Sequence, residues 1–427
     1  MRIDKITLTN FKGFENETLE FKSQFNVIIG NNATGKTSIL DALAVAAGAF
    51  FLGVDGADQK NFKKEEIRLI WRHNQPRPQL PVQIKAKGVV NDLTLSWMRE
   101  IQTESGRTSR KGAEDLREEV RMMHQEYRSG KDITFPLISY HGTGRLWAEH
   151  QERVDYQKPE EGLLMGYKDC LSSKSSSKAF LAWYKGFSQD AVNFKDELTE
   201  GLLEAFHEVI TDMIPEWSSM QYNYSLDQLI GFYKDDGGEM QPKSFNNLSD
   251  GYRNMIGMVA DIAYRCIKLN PHLGRKVIKK TPGILLIDEL DLHLHPKWQR
   301  LIVERLKKAF PKLQIVVTTH SPFIVQSLQS HELINLDEKS AQEDPFRKSL
   351  EEVAEDEMMM SGMHRSSRYK KMEAVAQKYF EYTLRPTSEQ DSSELANIKQ
   401  ELNQHMVEFS DDPAYSAMIK AELKSRG

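Results

Sequence analysis

The chain has 427 residues, 28% of them charged and 39% hydrophobic, with a formal net charge of -5. It is long enough for two or three domains with cores of their own, and its balance is that of a soluble globular protein, not of a broadly basic nucleic-acid coat. Two cysteines without a CxxC or CxxH pair (Cys170 and Cys266) exclude a disulfide framework or zinc module. The absence of any apolar run near ~20 residues leads us to expect a cytoplasmic protein without a membrane span.

In chain order, "RIDKITLTNF" alternates apolar and polar residues and reads as a strand, and "FNVIIG" is a second strand running into a glycine loop. "TSILDALAVAAGAFFL" carries apolar residues at helical spacing. From Gly53 to about Lys131 the sequence turns cationic, proline-bearing and then highly charged, which predicts an arm or lid, partly helical. "FPLISYHGTGR" reads as a buried strand leaving through a turn. Residues 160–240 mix short helices with a Ser/Lys linker, "CLSSKSSSKAF".

Regular alternation then returns. "YRNMIGMVADIAYRCIKL" predicts a helix, "GILLIDEL" a strand covered on both faces, "PKWQRLIVERLKKAF" an amphipathic helix and "LQIVVTTHS" another buried strand. Such alternation implies α/β architecture with a parallel sheet. The expected division is 1–52 and 245–340 as two halves of one core, 53–244 as an insertion with a core strand near 133–140, and 341–427 as a helical tail. In that tail Leu395, Ile398, Leu402 and Met406 form a seam at helical spacing, suited to an oligomer or partner contact or to capping the core.

Chemistry concentrates at a few places. Gly30-Asn31-Asn32-Ala33-Thr34-Gly35-Lys36-Thr37-Ser38 satisfies GxxxxGK[ST] at every required position, between a strand and a helix. Glycines let the backbone form a nest of N–H donors around phosphate, Lys36 reaches the terminal phosphates, and the Thr37 hydroxyl suits Mg²⁺. "ILLIDE" ends an apolar strand in two acids: Asp288 suits Mg²⁺, and Glu289 suits orienting or deprotonating a water. "TTHS" puts His320 after the next strand, within reach of a γ-phosphate. ATP and Mg²⁺ are the expected substrate and cofactor. The dense Asp288, Asp291, His293, His295 group tempts a metal assignment, but a structural loop is the better reading.

A second phosphate-shaped loop, "NNLSDGYRN", opens a helix far from the first. The order of P-loop, Leu-Ser-x-Gly loop, acidic strand and histidine resembles the ABC-type ATPases. Leu248, Ser249 and Gly251 match their signature loop, while Asp250 and Tyr252 replace the second glycine and the glutamine of the transporter form. The resemblance implies that this loop closes over ATP bound by another subunit, giving a head-to-tail homodimer, and that Asp291 in the D-loop crosses the seam. It implies an ABC-type P-loop ATPase head with a mainly helical insertion and a helical C-terminal region. "ITLTNFKGF" is similar to the start of the RecF, SMC and OLD group of DNA-associated ATPases, which implies that Lys12 lies near the nucleotide.

"YHGTGRLW", "LSDGYRNM", "IDELDLHLHPKWQ" and "FSDDPAYSAMIKAEL" resemble the PtuA ATPases of Septu-type anti-phage systems and some retrons. That implies assembly beyond a dimer and a separate HNH nuclease partner, PtuB-like, this chain having no HNH cluster of its own. A stand-alone RecF-like repair ATPase and a regulatory ATP-binding scaffold are the alternatives. DNA contact falls to Lys60, Lys63, Lys64, Arg68, Arg72 and Arg77 or to Arg107, Arg110 and Lys111, if these are not simply solvated faces. No Q-loop glutamine is identifiable; "HGTGR" sits near its place.

Overall fold

The computed structural model describes residues 1–146, 162–172, 177–194, 196–214, 217–235, 237–337 and 344–358, and beyond these only 375, 378–379, 382, 395–398 and 400–401. In β1 (Arg2–Phe11) Ile6 and Leu8 face inward and Lys5 and Thr7 outward, and a bulge between Ile3 and Lys5 resets the alternation. β2 (Phe14–Glu20) returns antiparallel to β1. The wholly buried β3 (Phe25–Ile29) then leaves for a second sheet and is followed by α1 (Lys36–Ala47).

Residues 53–244 hold more strand than their charge led us to expect. β4 (Leu69–Arg72) and β5 (Gln75–Pro78) form one hairpin, and β6 (Val82–Val90) and β7 (Leu93–Ile101) a longer one. Asn91 and Asp92 turn the longer hairpin with φ of 49° and 63°, the left-handed pair that a two-residue turn between twisted strands requires. β6 joins β1, giving an antiparallel sheet in the order β2-β1-β6-β7. α2 (Glu114–Arg128) is the predicted charged helix, and β8 (Leu137–His141) the predicted core strand. Helices α3 (Gly162–Tyr167), α4 (Ser177–Phe194) and α5 (Glu197–Met213) lead to an antiparallel meander of β9 (Trp217–Asn223), β10 (Gln228–Lys234) and β11 (Met240–Ser244).

The remaining elements are α6 (Asp250–Leu269), α7 (Val277–Lys280), β12 (Gly283–Ile287), α8 (Pro296–Ala309), β13 (Leu313–Thr318), α9 (Pro322–Val325) and β14 (Leu333–Asn335). β14, β3, β13, β12 and β8 lie in that order in a sheet whose every pairing is parallel. β3, β8, β12 and β13 are buried along their whole length, as continuous apolar strands covered on both faces should be. The carboxyl ends of β3, β13 and β12 therefore emerge side by side, the usual place for a ligand in such a sheet.

Gln314 on β13 ties the two large sheets together. It is 2% exposed; its Oε1 accepts from Ile3 N (2.8 Å), and its Nε2 donates to Ile3 O (2.8 Å) and Lys22 O (2.9 Å). The amide thus serves the backbone at the β1 bulge. Both cysteines are free and buried, and burial pushes each thiol up to about 12, which keeps them inert.

The chain divides into two compact units, 1–353 and 354–427. Every strand above belongs to the first. In the second, residues 395–398 are helical, with Ile398 buried and Leu395 half-buried. Leu402 and Met406 of the expected seam lie outside the described residues.

Gln314→Met removes the partners of a buried N–H and a buried C=O at Ile3, each costing about 1–3 kcal/mol. A clear fall in the urea midpoint is expected; an unchanged midpoint would show that these sheets do not depend on the amide.

Candidate nucleotide site

β3 delivers the chain into a loop that ends at Gly35 (φ 99°), where a Cβ would come within 2.5 Å of the Phe14 ring. An L side chain there meets both backbone strain and a clash, so the loop needs glycine. α1 starts at Lys36 with no side chain capping its N-terminus and no acid in its first turn. Its first N–H groups and dipole are thus available to an anion.

A cleft of about 310 Å³ opens there, lined by Asn32, Ala33, Gly35, Lys36, Thr37, Ser38, Asp288, Glu289, Thr318 and His320. The Lys36 ammonium is folded back onto Gly30 O (2.7 Å) and Asn31 O (2.9 Å). Burial holds its pKa below the ordinary lysine value, against the opposing pull of Asp337, Asp288 and Glu289. A phosphate would supply the negative charge that this buried cation is short of.

Asp288 is 3% exposed, and its carboxylate is a junction. It accepts from Thr37 Oγ1 (3.0 and 3.2 Å to its two oxygens) and from Thr318 Oγ1 (2.7 Å), while its N–H donates to His141 O at the end of β8 (2.8 Å). An alcohol and a buried carboxylate converging beside the phosphate loop are hard oxygen donors of the kind Mg²⁺ takes. Glu289 follows with φ 50°, outside the usual range for a side chain of its size, its N–H held by Thr318 Oγ1 (2.8 Å). Strain of this kind persists only where the surroundings impose it.

The loop after β13 is held from the acidic side. Asp291 Oδ1 accepts from Thr319 Oγ1 (2.5 Å) and His320 N (3.2 Å). Gln299 on α8 donates to Leu294 O (2.8 Å) and Asp291 O (3.3 Å) and accepts from Ser321 Oγ (2.6 Å). His320, itself exposed, is thereby set at the cleft wall. The remaining members of the tempting metal group have other tasks: His295 Nδ1 accepts from Lys297 N at the start of α8 (3.3 Å), and His293 takes a loop conformation with φ 62°.

The signature residues are not in this cleft. Leu248 is buried, and Ser249 is exposed at the start of α6 without capping its N–H groups. Asp250 pairs with Arg253. A Cβ on Gly251 would strike the His293 carbonyl, and the Tyr252 ring meets Trp298 edge-on at 5.5 Å. Within the chain, then, the second loop rests on the D-loop and α8 and presents Ser249 outward.

Lys12, expected near the nucleotide, pairs with Asp41 of α1; it is not among the residues lining the cleft, and its turn contributes Phe14 to the loop. Of the two basic clusters, Lys60 is partly buried and donates to Leu171 O (3.2 Å), and Arg68 pairs with Glu15 (3.2 Å). Lys63, Lys64, Arg72, Arg77, Arg107, Arg110 and Lys111 are exposed. Sequence reasoning missed Thr318, Gln299 and Asp337, whose carboxylate accepts from Asn31 N (2.6 Å). The first of the two threonines in "TTHS" was the available signal for Thr318; nothing local marks the other two.

The profile described as AAA domain matches residues 5–253. A retron Vc95 probable ATPase of Vibrio cholerae is 26% identical over 78% of this chain and 73% of the relative. A retron Ec83 probable ATPase of Escherichia coli is 24% identical over 78% and 71%. A Septu protein PtuA of Bacillus mycoides is 24% identical over 80% of this chain, which spans 41% of that relative. Among the described residues no helix is long and apolar enough to cross a membrane.

Thr318→Val keeps the shape of the residue but removes the hydroxyl shared by Asp288 and the Glu289 N–H. Turnover should fall about 10-fold or more with nucleotide affinity nearly kept, one hydrogen bond to a charged group being worth about 1.5–3 kcal/mol. Unchanged steady-state phosphate release would show that Thr318 does not set the acidic pair.

Proposed function

Since the chain belongs to the AAA-domain family, we propose that it binds and hydrolyses ATP as an ABC-type subunit, each nucleotide held between the P-loop of one copy and the signature loop of a second. The observation that carries the chemical part is the Asp288 junction, which sets an acid and a hydroxyl at the mouth of the phosphate loop. The two-subunit part is supported by Ser249, exposed on an uncapped helix start yet not part of its own chain's cleft.

On nucleotide binding, the N–H groups at the start of α1 receive phosphate oxygens, and Lys36 exchanges the Gly30 and Asn31 carbonyls for them. Thr37 and Asp288 are the residues that would hold Mg²⁺, which when bound would supply neutralisation of the phosphate charge. Glu289 orients a water and takes its proton as the water oxygen bonds to the γ-phosphorus and the bond to the β,γ-bridging oxygen breaks. The His320 imidazole stands on the γ-side. The partner copy's signature loop contributes its serine hydroxyl and helix dipole from the opposite face.

The relatives support a biological role. We read the chain as the ATPase component of an anti-phage defence assembly of the Septu or retron kind, working in oligomers larger than a dimer and controlling a separate HNH nuclease. DNA is the expected target of that assembly, met directly or through the partner.

Three variants test the mechanism in phosphate-release and nucleotide-binding assays. Lys36→Ala should abolish binding. Glu289→Gln should bind ATP and lose about 10²–10⁴-fold in turnover, the range of general-base catalysis. Ser249→Arg should bind ATP as the parent chain does but turn over almost none; equal loss of binding in that variant contradicts the shared site.

A further inference from the structure

The outer face of the antiparallel sheet carries an arrangement that folding alone does not call for. Lys5 on β1 stands directly opposite Lys87 on β6, and Thr7 opposite Lys85. β1 and β6 are the inner strands of the sheet, so these lysines are not there to protect an edge, and facing like charges is unfavourable. Among the described residues neither Lys85 nor Lys87 has an ion-pair or hydrogen-bond partner. With Ser96, Met98 and Gly112 they line a concavity of about 350 Å³, beside the exposed Lys111.

The nearby acids are engaged with groups other than Lys85 and Lys87. Glu20 pairs with Lys5 (3.0 Å) at the sheet edge. Glu100 is buried and bonded to Gln83 and Gln102 (3.0 Å each), and Glu114 accepts from Gly112 N (2.6 Å). The face is thus locally cationic in a chain whose net charge is negative.

We propose that this concave face, centred on Lys85 and Lys87, grips the phosphate backbone of a DNA duplex without reading its sequence. The inference rests on the reading that the chain meets DNA directly, and it moves the contact from Lys60 and its neighbours to the sheet. Lysines are point charges that neutralise phosphate, and the Ser96 hydroxyl is a side-chain donor of the kind that accompanies them on backbones, the Thr7 hydroxyl being shared with Thr18 (3.0 Å). Protein interfaces are depleted of lysine at their centres, so a lysine-centred face fits a polyanion better than a protein partner.

The test is fluorescence anisotropy of the full chain with a labelled duplex of arbitrary sequence, between about 50 and 200 mM salt. Lys85→Gln/Lys87→Gln should lower the slope of log affinity against log salt by about 1.8, or 0.9 for each lost phosphate contact. It should weaken binding at least ~10-fold while leaving DNA-free ATPase rate and melting temperature unchanged. Lys85→Arg/Lys87→Arg should restore the slope, and Lys63→Gln/Lys64→Gln should leave it as in the parent chain. If the parent chain binds duplex but the glutamine variant keeps its slope, the sheet assignment is wrong and direct DNA binding stands. If the parent chain shows no salt-dependent duplex binding, both readings fail. Polyglutamate competing as well as unlabelled duplex at equal charge would overturn the choice of nucleic acid.

Discussion

A buried carboxylate at the end of an apolar strand is tolerable only when its oxygens are occupied, and Asp288 is buried to 3% exposure. The solution here draws on three strand ends at once. Thr37 arrives from the first turn of α1, which follows β3, Thr318 comes from the end of β13, and the carbonyl of His141 at the end of β8 receives the Asp288 N–H. Parallel register makes this possible: Ile287 lies level with Val317 and with His141, so the next residue of β12 falls within reach of all three. A one-residue slip would turn the carboxylate to the other face and leave the phosphate loop without its acid.

From that junction the polar network runs outward along the chain. Glu289 is locked by Thr318, Asp291 holds the backbone of the histidine loop, and Gln299 stitches the D-loop to Ser321. The same D-loop and the helix after it support the signature, since Gly251 lies against His293 and Tyr252 against Trp298 of α8. One short connection therefore bears on the histidine beside its own cleft and on the loop proposed to serve a neighbour's nucleotide.

The sequence exposed those parts in which one local rule suffices. Continuous apolar runs announced β3, β8, β12 and β13, and the glycine spacing with Lys36 and Thr37 announced the phosphate loop. What stayed hidden depends on long-range placement. The β6–β7 hairpin was masked because its outward positions are lysines and hydroxyls, so an alternating strand read as a charge run. Gln314 looks like any strand glutamine until the bulge at Ile3 is set beside it. Lys12 was placed by resemblance alone, and its pairing with Asp41 depends on a turn set beside α1 that nothing in the local sequence marks.

The account turns on whether one polypeptide can complete the catalytic site. The most direct measurement is the ATPase rate per chain across a dilution series, with molecular mass followed in the same samples. Composite sites predict that the rate per chain collapses where saturating ATP no longer holds chains together. A rate per chain that stays constant into the range where the mass is that of a single polypeptide would contradict it.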